Sequence, residues 1–145
     1  KQMEYFQYAV LLKKEPTGGY VVTCRDLPQL ITQGESIEDA LVEASDAMDE
    51  VFAAYMINNV KFPEPSSKKR GEYMVVPPAE TIAKAALHTA MKEARVNKVQ
   101  MAKRLGVDEK EVRRLLDPHY GSKLPRIAEA ISLLGCRLVI GLELA

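Results

Sequence analysis

The chain has 145 residues, of which 47% are hydrophobic and 28% are charged, a composition typical of a globular protein. This length allows one domain of ordinary size or two small ones. No apolar run approaches the ~20 residues of a membrane-spanning helix, and the chain does not open with a signal-peptide pattern, so we expect a cytoplasmic protein. Cys24 and Cys136 form no CxxC pair, which argues against a disulfide framework and a zinc site.

The net charge of zero conceals opposite charges in the two halves of the chain. Residues 1–63 carry five basic and ten acidic side chains, whereas residues 78–145 carry twelve basic and eight acidic ones. An acidic half beside a basic half fits a protein with one cationic partner and one nucleic-acid partner.

The first half predicts a small α+β domain with four strands and one long helix. Pro16 to Gly19 form a turn between the first two strands. The helix begins at the N-cap Ser36, carries apolar side chains every three or four residues, and ends at Asn58 and Asn59. The strands are predicted over residues 5–12, 20–24, 30–33 and 73–76. The domain therefore comprises residues 1–63 plus 73–77, and residues 64–72 form a connector.

The second half, residues 78–145, predicts an all-α domain that ends in a short strand. Its first helix extends to about Ala94, and Pro125 lies in the first turn of its last helix. Residues 137–144 (RLVIGLEL) are strand-like. Because an isolated strand is unstable, we expect this one to pair, and the same strand of another subunit is a candidate partner.

Residues 97–116 are the most informative stretch, because they predict two short helices around a tight turn. A DNA-reading helix-turn-helix needs a small residue where the helices cross, a turn glycine and a branched apolar residue in the second helix. Ala102, Gly106 and Val112 provide these three. An ordinary helical hairpin in an all-α domain is the alternative interpretation.

Two capping boxes mark the starts of these helices. Asn97 with Gln100 forms the first box, and Asp108 with Glu111 forms the second. Their coincidence with a turn glycine favours the helix-turn-helix over the hairpin.

The polar side chains of this motif predict a DNA interface. In such motifs the second helix enters the major groove, while the first meets phosphates. Arg and Lys read guanine, and carboxylates accept from cytosine N4. The candidate residues are Lys98 and Gln100 in the first helix, Glu109, Lys110, Arg113 and Arg114 in the second, and Ser122 and Lys123 in the following loop. Lys110, Arg113 and Arg114 are the favoured base readers; the alternative is that all of them form a solvated face.

A single motif of this kind binds weakly, so we expect a homodimer, or a higher even oligomer, on an inverted DNA repeat. Catalytic patterns are lacking: His88 and His119 have no triad-like neighbours, and the sequence has no metal-ligand cluster or phosphate-binding loop. We therefore expect no enzymatic activity, no catalytic residues, no metal and no cofactor. Asp26 is interpreted as a turn residue.

The order of short segments in the first half resembles the HicB antitoxin family. These segments are Gly19-Tyr20, Asp26-Leu27-Pro28, Thr32 to Ser36 and Glu38-Asp39-Ala40. The second half is similar to the helix-turn-helix version of the same family, including Arg-Leu-Leu-Asp-Pro at 114–118 and Leu-Gly-Cys-Arg-Leu at 134–138. The resemblance spans nearly the whole chain.

This resemblance implies a fold, a partner and a regulatory role. The fold is a partial ribonuclease-H-like sheet with one covering helix, followed by a lambda-repressor-like helix-turn-helix domain. The implied partner is HicA, a basic mRNA-cleaving toxin that the first domain blocks, while the second represses the operon. The family pattern assigns no toxin-contacting residues.

Two other interpretations remain. One is a free-standing repressor whose first domain senses a ligand or only dimerises. The other is a ribonuclease-H-like nuclease that uses Asp26 and helix acids with Mg²⁺, although only Asp26 lies near a strand end.

Overall fold

The structure is a computed structural model that describes residue 3 and residues 5–144. It divides into two compact units, Lys1–Ile82 and Ala83–Ala145. The elements are β1 (Tyr8–Lys14), β2 (Tyr20–Thr23), β3 (Ile31–Gly34), α1 (Ile37–Ile57), β4 (Glu72–Val75), α2 (Ala79–Ala94), α3 (Lys98–Leu105), α4 (Glu109–Leu116) and α5 (Leu124–Ser132). The predicted α+β class is confirmed. None of the described helices has the length and apolar character needed to cross a membrane.

The first unit contains a four-stranded sheet in the order β3-β2-β1-β4, with every neighbouring pair antiparallel. The four predicted strands are present, but β1 begins at Tyr8 rather than residue 5 and extends to Lys14. Tyr8 pairs with Val75 at the end of β4, and Pro77 shortly beyond has no N–H to extend the ladder. Lys14 pairs with Tyr20 across the turn, so the hairpin lengthens the strand at its other end.

Helix α1 covers one face of the sheet through side chains that recur every four residues. Ala40, Ala44, Met48 and Phe52 are all buried. The predicted N-cap is confirmed, since the Ser36 hydroxyl accepts a hydrogen bond from the backbone N–H of the third helical residue at 3.0 Å. The predicted end at Asn58 is confirmed as well.

Gly34 allows the close approach of β3 to α1. A Cβ atom at this position would lie 2.5 Å from the Cα of Ala40, which is nearer than any real Cβ contact. Packing is therefore the reason that this position requires glycine. The backbone φ of Gly34 is one that other residues also adopt.

The second unit is built from helices around one apolar core. Side chains from α2, α3, α4 and α5 contribute to it, and Leu138 packs against it from the C-terminal segment. The buried members are Ala83, Leu87, Met91, Val96, Met101, Ala102, Val112, Leu115, Leu116, Ile127, Ala130 and Ile131.

The predicted terminal strand is corrected by the structure. In the described chain, residues 137–144 form neither a strand nor a helix, and most of them are exposed. A strand needs a neighbour to pair its backbone N–H and C=O groups, and the four described strands pair only with one another.

Candidate nucleic-acid interface

Helices α3 and α4, eight residues each, form a helix pair joined by residues 106–108. The first predicted capping box is confirmed. The Asn97 side chain accepts from the Gln100 N–H at 2.8 Å, and the Gln100 side chain accepts from the Asn97 N–H at 2.9 Å. Both donors at the start of α3 are thereby satisfied.

The turn between the helices depends on Gly106, whose φ of +70° lies in the left-handed region. Its N–H donates to the Lys103 carbonyl at 3.3 Å, and the Val107 N–H donates to the Ala102 carbonyl at 3.0 Å. This is the Schellman pattern that ends many helices. Ala102 and Val112, predicted as core residues, are buried.

The second predicted capping box is only half formed, which corrects the expectation. Asp108 accepts from the Glu111 N–H at 3.0 Å, but among the described contacts the Glu111 carboxylate makes no return bond to the Asp108 N–H. The carboxylate lies instead 3.7 Å from Arg114 Nη1 and 3.8 Å from Arg126 Nη2. These two cations compete with the backbone for the same carboxylate.

The outward side of α4 carries alternating charges. Arg113 donates to the Glu109 carboxylate at 3.0 Å, four residues back on the same helix. The Arg114 guanidinium lies over the Tyr120 ring, 5.4 Å from its centroid. Lys110 is exposed and forms no ion pair with the described residues. A base or phosphate approaching Arg113 must therefore displace a carboxylate, whereas Lys110 is immediately accessible.

The other predicted contact residues have different environments. Lys98 and Lys123 are exposed, and Ser122 is half-buried. Gln100 uses its side-chain oxygen in the capping box, which leaves the amide NH₂ group to donate. The structure thus places four candidates together on α4, two on α3 and two in the loop before α5.

Sequence reasoning missed Lys84, which is fully buried in α2. Its ammonium donates to the backbone carbonyls of Arg114 at 3.2 Å and Asp117 at 2.7 Å, and also to that of Tyr120. A cation at this position satisfies carbonyls at the negative end of α4. The sequence contained an indication that Lys84 is buried. It precedes the core residues Leu87 and Met91 by three and seven positions, which places it on the same face of the helix.

His88, one turn further along α2, reinforces the same attachment. Its Nε2 lies 2.8 Å from the Leu116 carbonyl, so it donates in the neutral tautomer with the proton on Nε2. Burial is the main cause that lowers the pKa of His88, and nearby lysines act in the same direction. Lys84 and His88 together fix the end of α4 and the loop that follows it.

In the first unit, charged side chains hold the connector. Asp26 accepts from the Ser66 N–H at 2.8 Å and from the Ser66 hydroxyl at 2.7 Å. Arg25 donates to Glu72 at 2.9 and 3.0 Å and to the Ser67 carbonyl at 2.5 Å. The hydrogen bond from Arg25 is the largest cause that lowers the pKa of Glu72 to about 2.

These contacts give Asp26 a structural role. Its two carboxylate oxygens are engaged by Ser66, which does not fit the metal-ligand role required by the nuclease interpretation. Within residue 3 and residues 5–144, no three His, Cys, Asp or Glu side chains gather as a potential metal site.

An acidic stripe runs along α1, away from its buried side. It is formed by residues spaced i, i+4, i+7 and i+11: Asp39, Glu43, Asp46 and Glu50. The first unit as a whole carries eight basic and thirteen acidic residues, whereas the second carries twelve basic and seven acidic ones. The two units therefore present opposite net charges of −5 and +5.

Comparison with known proteins gives consistent matches. A family model described as the HicB_like antitoxin of a bacterial toxin-antitoxin system matches residues 7–86. Antitoxin HicB of Escherichia coli strain K12 is 30% identical over 132 residues, covering 91% of this chain and 96% of the relative. Antitoxin HicB 1 of Photorhabdus laumondii is 31% identical over 94% of this chain and 87% of its own length. Antitoxin HicB of Pseudomonas fluorescens is 31% identical over 97% and 96%.

Proposed function

The chain belongs to the HicB-like antitoxin family, and we propose that it neutralises a HicA-like basic ribonuclease toxin and represses its own operon. Residues 1–63 plus 73–77 are the proposed toxin-binding domain, with a partial ribonuclease-H-like sheet. Residues 64–72 are the connector. Residues 78–145 are the proposed lambda-repressor-like helix-turn-helix domain for DNA binding and dimerisation.

The observation that carries this proposal is the membership of a family named for antitoxins, joined to the opposite charges of the two units. An acidic unit is suited to a basic toxin, because complementary charge accelerates encounter and disfavours wrong partners. The acidic stripe on α1 supplies four carboxylates on one side of a single helix. Both proposed partners, an mRNA-cleaving toxin and operator DNA, place the protein in the cytoplasm.

The toxin arm is tested by co-expression with the toxin encoded beside this chain. The full chain should co-purify with the toxin and restore growth to cells that express it. Asp46→Lys should slow association measured by surface plasmon resonance, and the loss should shrink at high salt. Glu64→Lys makes the same charge change in the connector and serves as the matched control.

If the chain neither captures the toxin nor restores growth, the antitoxin role is wrong and the free-standing repressor is favoured. Equal effects of the two lysine substitutions would contradict a role for the acidic stripe while leaving toxin capture intact.

The DNA arm rests on the α3–α4 pair. Its capped helices, left-handed turn glycine and outward-facing Lys110, Arg113 and Arg114 are the features that a groove-reading motif requires. In this proposal the second helix enters the major groove, and the candidates Lys98, Gln100, Ser122 and Lys123 contact phosphates. Glu109 borders the base-reading side chains.

Fluorescence anisotropy with the operon's promoter fragment tests this arm. Arg113→Ala with Arg114→Ala should weaken binding at least about thirtyfold, since each good arginine–guanine pair provides ~1–3 kcal/mol of discrimination and ~1.4 kcal/mol corresponds to a factor of ten. Affinity should also fall as salt rises. The control is Lys13→Ala with Lys14→Ala, which removes two positive charges from exposed positions of β1. Equal losses in both double variants would contradict recognition by α4.

A further inference from the structure

Two adjacent arginines of α4 are held by different kinds of contact. Arg113 donates an N–H to the Glu109 carboxylate at 3.0 Å, so one edge of its guanidinium is occupied. Arg114 lies instead over the face of the Tyr120 ring, with its Cζ atom 5.4 Å from the ring centroid. This distance is within the ~6 Å range of a cation–π contact. A carboxylate therefore holds one arginine by its edge, and an aromatic ring holds the other by its face.

This difference decides which arginine is ready to read a base. Guanine is recognised by two N–H donors in the guanidinium plane, which meet O6 and N7 of the base. Cation–π attraction uses the face of the guanidinium and leaves those in-plane donors accessible. Arg113 must release Glu109 before it can bind a guanine, whereas Arg114 can bind one and keep Tyr120.

The Glu111 carboxylate does not occupy the edge of Arg114. The two groups are 3.7 Å apart, which is beyond hydrogen-bonding distance. The same carboxylate is shared with Arg126 of α5 at 3.8 Å. Because two cations share one carboxylate, Glu111 attracts Arg114 without engaging its donors.

Tyr120 can orient Arg114 because the backbone of Tyr120 is itself fixed. Its N–H donates to the Asp117 carbonyl at 3.1 Å, and its carbonyl accepts from the buried ammonium of Lys84. The ring remains 44% exposed. The loop after α4 therefore holds an exposed aromatic face at a constant place beside the helix.

We propose that Tyr120 positions Arg114 for guanine recognition, which makes Arg114 the principal specificity-determining residue of α4. The inference rests on the proposed DNA-binding function and deepens it, since it assigns the base reader between two neighbouring arginines. Restricting the Arg114 side chain before binding reduces the entropy that it loses on contact with the base. Tyr120 acts through Arg114 and makes no base contact of its own.

The stacking is tested first in the full chain without DNA. An aromatic ring against Arg114 shifts the side-chain proton resonances of that arginine upfield in the NMR spectrum. Tyr120→Leu should abolish this shift, whereas Tyr120→Phe should retain it, because phenylalanine keeps an aromatic face. The Tyr120 side chain is exposed, so neither change disturbs the core. Unchanged Arg114 resonances in Tyr120→Leu would overturn the proposal.

Recognition is tested by fluorescence anisotropy with the operon's promoter fragment and with fragments in which single G·C pairs are replaced by A·T. Arg114→Ala should lose discrimination at one base pair, which identifies the pair that Arg114 reads. Tyr120→Leu should reduce discrimination at the same pair about two- to fivefold, the effect of one exposed cation–π contact. The salt dependence of its affinity should stay unchanged, because Arg114 keeps its charge. Tyr120→Phe should discriminate as the unmodified chain does.

The other outcomes contradict the positioning role. Equal weakening of Tyr120→Leu on every fragment would show a contact with the DNA backbone. A loss in Tyr120→Phe as large as in Tyr120→Leu would show that the hydroxyl group, and not the ring, is required. Failure of the unmodified chain to bind the promoter would overturn the proposed DNA-binding function and this inference together. Promoter binding with unchanged discrimination in Tyr120→Leu would overturn this inference alone.

Discussion

The connector of the first unit is held by charged side chains at the surface, whereas the loop after α4 in the second unit is held by a buried cation. Arg25 pairs with Glu72 while partly exposed to water. Lys84 is fully buried and donates to three backbone carbonyls. Solvent screens the partly exposed Arg25–Glu72 pair, whereas a buried cation is costly to remove once its partners depend on it.

This comparison predicts which unit each substitution should weaken. Hydrogen exchange measured on peptides from each unit separates the two responses, because local opening is reported segment by segment.

The largest effect is expected from Lys84→Met. The change removes one donor from each of three carbonyls; those of Arg114 and Asp117 keep a backbone N–H donor, whereas that of Tyr120 keeps none among the described contacts. A buried group left unsatisfied costs about 1–3 kcal/mol. Peptides from α4 and the following loop should lose protection, while peptides from the sheet keep theirs. Lys92→Met, on an exposed position of the same helix, is the control. Unchanged protection around α4 in Lys84→Met would contradict the role assigned to the buried cation.

Gly34→Ala should have the corresponding effect in the first unit. The added methyl group meets the backbone of α1, and overpacking of this kind costs about 1–3 kcal/mol. Thermal unfolding of the full chain should begin at a lower temperature, with exchange increasing in β3 and α1. Gly121→Ala has open space and an ordinary φ, so it should be neutral. Equal effects of the two alanines would contradict the close approach.

Acid should weaken the two units in different pH ranges. The pKa of His88 is lowered from its ordinary 6.5, so the unfolded chain takes up a proton that the folded unit resists. The second unit therefore loses stability as the pH falls below about 6.5. Glu72 has a pKa lowered from 4.5 to about 2. Its stabilising contribution is therefore present above pH 4.5 and disappears as the pH falls towards 2.

Protection factors measured between pH 7 and 5, which correct for the slower intrinsic exchange at lower pH, should accordingly fall in the second unit first. His88→Gln should reduce this pH dependence, while Glu72→Gln should alter only the response below 4.5. A first unit that opens before the second on acidification would contradict this order.

The smallest effect is expected from Glu109→Gln, which leaves Arg113 without its carboxylate partner. DNA affinity should rise a few-fold, because an exposed ion pair of this type contributes only about 0.3–0.5 kcal/mol and a negative charge is also removed. Anisotropy with the promoter fragment measures the change. Weaker binding would show that Glu109 itself contacts the DNA, as a carboxylate reading cytosine would.

Local patterns in the sequence predicted the parts of the fold that depend on neighbouring residues. The Asn97 capping box, the Ser36 cap and the buried spacing of α1 depend on residues within one or two turns, so sequence spacing determined them. Long-range partners were not predictable in this way. The role of Lys84 depends on carbonyl partners that lie 30 residues and more away along the chain.

The missing return bond of the second capping box could not be predicted for the same reason. Arg126, which competes for Glu111, lies in α5 and is brought close only by packing. The candidate DNA-binding residues were found because charge on an exposed helix is visible in the sequence. Their contacts with DNA, and those of the first unit with a toxin, stay predictions.

The central claim is that the two units perform separable tasks. Cells carrying the toxin and a promoter reporter should be given the chain with Arg113→Ala and Arg114→Ala, and both growth and reporter expression should be measured. We expect growth to be restored as by the unmodified chain while repression is lost. Loss of growth rescue together with repression at an unchanged protein level, or retention of full repression, would contradict the division of function between the units.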